Sequence, residues 1–348
     1  MNKFFKVLLL QTMIAALVLG TWGSALAASN PRMTIKIAQC CPADQAYGVY
    51  VHGLANVVES KSKGQIKVDT LDGGVLGGEQ DMAQAVQIGT IQMAAITGNN
   101  VAQLAPSLNI LVLPYLNATM EDVVGKGGLL APGPYFDELR KRVLKESGSL
   151  LLMGGYTNGF RYFFTKNRCV RTLADLQGLK IRIPKNPVME AMWKALGVSP
   201  YPVAWSETFT AIQQGVVDAF DSPLDTILRM GFYQDIKYVI ETHYTPQAAV
   251  LIVNNTWFQS LSKEDQELIK EAAKQNDVNH YHYVKAEQGK IKETLIKKHG
   301  THFCTLTDEN VWKEKCVAIW PSLYKYVGGG KAWVDATLEY KKTGKMPQ

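Results

Sequence analysis

The chain has few of the residues that build metal centres or nucleophilic sites. It contains five cysteines and six histidines in 348 residues, with no GxSxG elbow, no HExxH pair and no GxGxxG or GxxxxGK[ST] loop. Each of these missing motifs supplies a defined chemistry: a serine nucleophile, a zinc with its base, or a phosphate cradle. Their absence argues against hydrolase and nucleotide-dependent classes, although an enzyme acting on anionic substrates stays open as an alternative. His280 and His282 stand two apart on an expected helix and so point apart, and no carboxylate or cysteine with ligand spacing joins His299 and His302, so neither metal nor cofactor is expected. The turn Asp72-Gly73-Gly74 with Gly77-Gly78 lacks a phosphate-binding lysine.

Charge of one sign is also scarce, with 37 Lys and Arg against 31 Asp and Glu. No basic stripe interleaved with aromatics appears, which excludes a nucleic-acid partner but suits a small anion. The one long apolar run, Val7 to Gly20, follows Lys3 and Lys6 and precedes Ala25-Leu26-Ala27, the pattern of a cleavable export signal. No lipobox cysteine follows it. Residues 1–27 are therefore read as a leader and the mature protein as periplasmic, where disulfides can form. The spacing makes Cys304 with Cys316 the easiest pair, and the adjacent Cys40-Cys41, lacking a metal or thioredoxin spacing, reads as structural or incidental.

Beyond the leader the pattern alternates. Thr34–Ala38, Ile66–Leu71, Met93–Ile96 and Ile110–Leu113 read as strands, and 47–61 and 78–88 as helices. Their βαβ order predicts an open, largely parallel sheet. A second block starts near Leu150 with strands 151–156, 161–165, 180–183 and 217–221 and helices 187–196 and 206–214. Gln247–Val253 reads as a strand returning to the first block. From Lys263 to Lys298 there is no proline and only Gly289, so one very long helix, or two abutting ones, is expected to bridge both blocks. No internal repeat or low-complexity linker separates them. The predicted fold class is α/β with two lobes, 29–153 plus 243–285 and 154–242 plus 286–348, the second carrying the C-terminal helices, with a ligand cleft between them.

Arg182 is the most informative residue. In Leu179-Lys180-Ile181-Arg182-Ile183-Pro184 it places a permanent cation at a strand end among apolar neighbours, where it pairs either with an internal carboxylate or with a ligand anion.

The order of several motifs resembles the solute-binding proteins of tripartite ATP-independent periplasmic (TRAP) transporters, of the C4-dicarboxylate-binding type. They are Gly159-Phe160-Arg161-Tyr162-Phe163, Leu179 to Pro184, Trp205 to Asp218 and Asp221-Ser222-Pro223, with Leu76-Gly77-Gly78-Glu79, Leu113-Pro114-Tyr115-Leu116 and Asn254-Asn255-Thr256-Trp257 around them. The resemblance implies two lobes closing on a small organic anion that is then handed to membrane permease subunits, with no catalysis. It assigns the ligand carboxylate to Arg182, a second contact or a hinge bond to Arg161, and a cleft-lining indole to Trp205. Ser222 stands where many relatives carry Asn, so its contact is shorter in reach. Asn99, Asn100 and Gln45 are expected as polar contacts from the other lobe, and Tyr115, Gln247 and Tyr244 as cleft walls. The ligand stays open among C4-dicarboxylates, keto or hydroxy acids, aromatic acids and an isethionate-like sulfonate. A monomer is expected, and a sensory module of the same fold is the alternative.

Overall fold

The computed structural model describes residues 30–347, so the expected leader lies outside the described residues. Ten strands are present among them: β1 Met33–Ala38, β2 Ile66–Leu71, β3 Met93–Thr97, β4 Leu150–Thr165, β5 Lys180–Ile183, β6 Ser199–Pro202, β7 Ala219–Pro223, β8 Tyr238–Glu241, β9 Pro246–Asn254 and β10 His302–Thr305. The main order is β2-β1-β3-β9-β4-β7-β5-β6, with β8 on β4 and β10 on β8. The helices that position the cleft are α1 Ala46–Lys61, α2 Glu79–Ile88, α3 Pro134–Ser147, α4 Pro187–Ala195, α5 Trp205–Gln213, α6 Lys263–His299 and α7 Gly330–Thr343.

Two lobes share β4. Its first half pairs with β9, and its second half pairs with β7 and β8, so one strand carries the chain from one sheet into the next. Register shifts at Leu152/Gly154 and Thr157/Phe160 bend it on the way. The two strands expected at 151–156 and 161–165 are therefore one bulged strand. The sheet is mixed rather than largely parallel: β1 runs parallel to β2 and β3, but β9 lies antiparallel to both β3 and β4. A crossing strand that returns to its lobe has to enter against the direction of its neighbours.

The expected strand 110–113 is instead part of a 3₁₀ segment, Pro106–Val112. Periodicity cannot separate a buried strand from a buried helical turn in so short an apolar run, and Pro106 presets the turn. In the first lobe, Ile96, Val250 and Ile252 pack with Tyr135, Leu139 and Val143 on one face. Ile35, Ile37, Tyr50 and Leu251 fill the other. The second lobe packs Phe163, Trp193 and Trp312 on one side and Phe164, Phe220 and Phe232 on the other.

The helix α6 is a single helix of 37 residues, about 55 Å long at 1.5 Å per residue. Ile269, Ala272 and Ala273 bury against the first lobe, while Ile291 and Leu295 bury against the second. Where it meets β4, Gly154 and Gly159 leave room. A Cβ on Gly154 would stand 2.8 Å from Asp277 Oδ2, and one on Gly159 would collide with Gln288 Nε2. The C-terminal helix α7 corrects the expected boundary, because Trp333, Val334 and Tyr340 pack into the first lobe's core beside Tyr135. Among the described residues, no helix is long and apolar enough to cross a membrane.

The disulfide is Cys169–Cys304, not Cys304–Cys316. Parallel pairing of β10 with β8, itself on β4, carries Cys304 beside the segment that follows β4. Cys316 faces inward on a helix and stays a buried thiol.

Candidate functional site

The strand ends of both lobes converge on one cavity. Its space, the solvent at its open mouth included, amounts to about 390 Å³, bounded in the first lobe by Cys40, Cys41, Gln45, Tyr47, Glu79, Thr97, Asn99 and Asn100, with Gln247 on β9. The second lobe contributes Arg161, Arg182, Pro184, Trp205, Ser222 and Thr226.

Arg182 reaches this cavity because β5 ends there. The strand is short, it is stopped by Pro184, and Ile181 and Ile183 are held in the core. The side chain is only 3 % exposed. Its Nε donates to Val203 O at 3.0 Å, and the guanidinium carbon lies 5.3 Å from the centre of the Trp205 ring. Among the described residues, neither terminal nitrogen has a hydrogen-bond partner. Burial lowers its pKa to about 10, with Asp221 and Glu79 opposing and Arg161 reinforcing that fall. It is a cation at neutral pH, largely buried, with both terminal nitrogens facing the cavity unbonded.

Arg161 is different. Its Nε donates to Asp221 Oδ2 at 2.5 Å and to the Tyr244 hydroxyl at 3.0 Å, Nη2 donates to Asp221 O at 2.7 Å, and Nη1 donates to Gln247 Oε1. Of the two roles expected for it, the hinge bond is the one its contacts fill. Tyr244, expected in a cleft wall, is a buttress of this pair, also donating to Asp221.

Opposite Arg182 sits a carboxylate, Glu79, that the sequence places in the motif Leu76-Gly77-Gly78-Glu79 but not among the expected ligand contacts. Glu79 begins α2, and its Oε1 accepts from Thr97 N at 2.7 Å while Oε2 accepts from Thr97 Oγ1 at 2.9 Å and from Asn100 Nδ2. Burial raises its pKa, and these donors together with Arg182 pull against the rise. The signal that could have found it is Leu76-Gly77-Gly78-Glu79 itself, an acid directly after a glycine turn. Tyr47 was missed as well: its hydroxyl accepts from Gln247 Nε2 at 2.8 Å at the cavity wall.

Several expected contacts are in the cavity but already engaged. Gln45 caps α1 by accepting from Tyr47 N at 2.8 Å, and its amide donates to Asp225 Oδ1 at 3.2 Å. Asp225 also accepts from Ala46 N at 2.9 Å, so these bonds tie the lobes together. Ser222 pairs with Thr226 at 3.0 Å. Asn100 serves Glu79, whereas the Asn99 side chain is unengaged among the described residues. The indole Nε1 of Trp205 is buried without an acceptor there. Tyr115 is not in the cavity: it sits in the left-handed region at φ 62° and lines a separate surface pocket with His243 and Glu309. Its chain turns back after the 3₁₀ segment, where its N–H donates to Tyr244 O at 2.6 Å, and so it faces away. Among the described residues no cluster of three or more metal-binding side chains exists.

The sequence and the architecture match known proteins. The model of bacterial extracellular solute-binding proteins, family 7, matches residues 37–326. The chain belongs to this family. A solute-binding protein of Verminephrobacter eiseniae is 33% identical over 72% of this chain and 72% of its own. The sugar-acid-binding protein of Advenella mimigardefordensis, solved with galactonate, superposes with a TM-score of 0.83 at 26% identity, covering 90% of this chain and 99% of that one. A TRAP solute-binding protein of Polaromonas, solved with D-erythronate, gives 0.80 at 26% identity over 88% and 98% of the two chains. This family 7 protein is thus a TRAP-type solute-binding protein with the two-lobed fold, and its family consists of binding proteins rather than enzymes.

Proposed function

We propose that this chain captures a small hydroxyl-bearing organic acid between its lobes and delivers it to TRAP permease subunits in the periplasm, after export by its N-terminal segment and as a monomer. The observation that carries the reading is Arg182, a buried cation with both terminal nitrogens unpartnered at the cavity. A planar guanidinium offers two parallel donors to a carboxylate, and such charge-assisted bonds contribute roughly 1.5–3 kcal/mol each.

The rest of the ligand is argued from what faces Arg182. Glu79 accepts hydrogen bonds, the Tyr47 hydroxyl keeps its proton to donate while accepting from Gln247, and the Asn99 amide can do either, so this wall suits hydroxyl groups. A second carboxylate placed there would meet Glu79 as a like charge. That favours hydroxy acids over C4-dicarboxylates, in line with the galactonate and D-erythronate bound by the two similar structures. Trp205 supplies an apolar face and its buried N–H.

Thermal-shift titration of the mature protein with D-galactonate, D-erythronate, isethionate and succinate tests the reading. The aldonates are expected to stabilise most, following mass action on the folded state. A panel in which succinate stabilises most, or in which no anion stabilises, would refute it.

A further inference from the structure

We propose that Cys40 and Cys41 are a redox pair built into the wall of the ligand cavity, closing reversibly to a vicinal disulfide and changing that wall when they do. Both residues line the cavity beside Arg182 and Glu79, and their Sγ atoms stand 3.3 Å apart. That is short of contact between unrelated groups and about 1.3 Å beyond the S–S bond of about 2.05 Å. The chain already holds one disulfide, Cys169–Cys304, and belongs to an extracellular family, so these thiols meet disulfide donors in their own compartment.

The backbone around the pair can follow the change. Cys41 N donates to Gln39 Oε1 at 2.6 Å, and Cys41 O accepts from Gly73 N at 2.9 Å and from the Gln39 amide. The bonds on the intervening peptide's N–H therefore go to a rotatable side chain rather than to a strand partner. On the other side, the glycine turn Gly73-Gly74 faces the pair, with both residues at positive φ. Adjacent Cα atoms are about 3.8 Å apart across a trans peptide, closer than the 4.4–6.8 Å usual for disulfides. Ring strain of this kind makes the bond easy to reduce, which is the property of a switch and not of a permanent brace.

The step balances by exchange. One cysteine sulfur, deprotonated, attacks an external disulfide such as oxidised glutathione, forming a mixed disulfide and releasing one thiol. The neighbouring sulfur then displaces the second, so that two protons and two electrons leave the pair and the external S–S bond ends as two thiols. Closure removes two S–H groups from the cavity and pulls the segment between β1 and the Gln45 cap of α1. The hydrogen bond with Cys41, then burial and the nearby Glu79, holds the Cys40 thiol protonated, so the exchange belongs to a form of the cleft open to solvent.

The test uses the mature protein with no ligand. After equilibration in glutathione buffers of rising oxidised fraction, free thiols are alkylated and the tryptic peptide 37–61 is weighed. The expected product is the unalkylated peptide lighter by two hydrogens, restored to the doubly alkylated form by reduced glutathione while Cys169–Cys304 stays closed. Full alkylation of both residues at the most oxidising ratio, or a stable glutathione adduct in place of the ring, overturns the proposal. In Cys41→Ser, Cys40 is expected to remain alkylatable or to carry glutathione. Hydrogen exchange then compares the two forms: faster or slower exchange in 37–47 and 72–82, with α7 unchanged, supports a change in the cavity wall, and identical exchange overturns it.

Discussion

Two arginines of the second lobe, both buried and both lining the cavity, have opposite surroundings. Around Arg161 every direction is answered: Asp221 neutralises it, Tyr244 and Gln247 complete its bonds, and the strand it belongs to is the one that joins the lobes. Around Arg182 there is one backbone carbonyl, an indole face and a carboxylate across the cavity. The same side chain is thus a brace in one place and a receptor in the other. What separates them is whether the fold itself provides the counter-ion, because a buried charge left unpaired costs several kcal/mol until something pairs with it.

The sharpest way to break that contrast is to remove each cation in turn. Arg161→Met leaves the Asp221 carboxylate buried without its counter-ion and is expected to cost about 3–5 kcal/mol of stability in denaturant titration. Arg182→Met removes an unpartnered cation, so it is expected to melt at or above the parent temperature while anion affinity falls about 100-fold or more by calorimetry. Stability lost in the second variant and binding lost in the first would reverse the assignment. Arg182→Lys keeps the charge but loses the planar fork, and a fall of about 10-fold in affinity is expected.

Glu79 sharpens the comparison from across the cleft. Burial raises its pKa, and an anion on Arg182 raises it further, so binding takes up a proton. Affinity is expected to increase as pH falls from 8 toward about 5, and Glu79→Gln is expected to flatten that profile. A pH-independent Kd in the parent would remove Glu79 from the site. The smallest effect is on stability. Burial lifts Asp277, on α6 against Tyr50 and Gly155, to about 7. Because its folded pKa exceeds the ordinary carboxylate value of about 3.9, its contribution is full below that value and is lost as pH rises through about 7. Melting temperature should drop by a few degrees across that window, and Asp277→Asn should abolish the drop.

Much of this was legible in the chain. Alternation marked β1, β2 and β3 within a residue or two, and an unbroken helical stretch marked α6. Resemblance brought Arg182 and Trp205 to the cavity. What escaped was set by long-range closure. Glu79 becomes a cavity residue only when the first lobe folds over the strand bearing Arg182, and Cys169 meets Cys304 across 135 residues through two strand pairings no local pattern announces. Tyr115 failed for a local reason: its neighbours Leu113 and Leu116 bury in the first lobe's core, and its left-handed backbone sets it in a separate surface pocket.

The placement of β9 and α7 fixes the order in which the molecule can be completed. The centre of the first sheet is β9, and Trp333 of α7 closes the core beneath it. β9 follows the second lobe's β5 to β8, and α7 follows its β10 as well, although the first lobe begins at Met33. The half of the protein that is synthesised first therefore depends on later segments, its sheet open between β3 and β4 until β9 takes its place and its core open until α7 arrives. Neither lobe can be cut out as one contiguous piece, and a truncation that removes only α7 is a lesion in the N-terminal half.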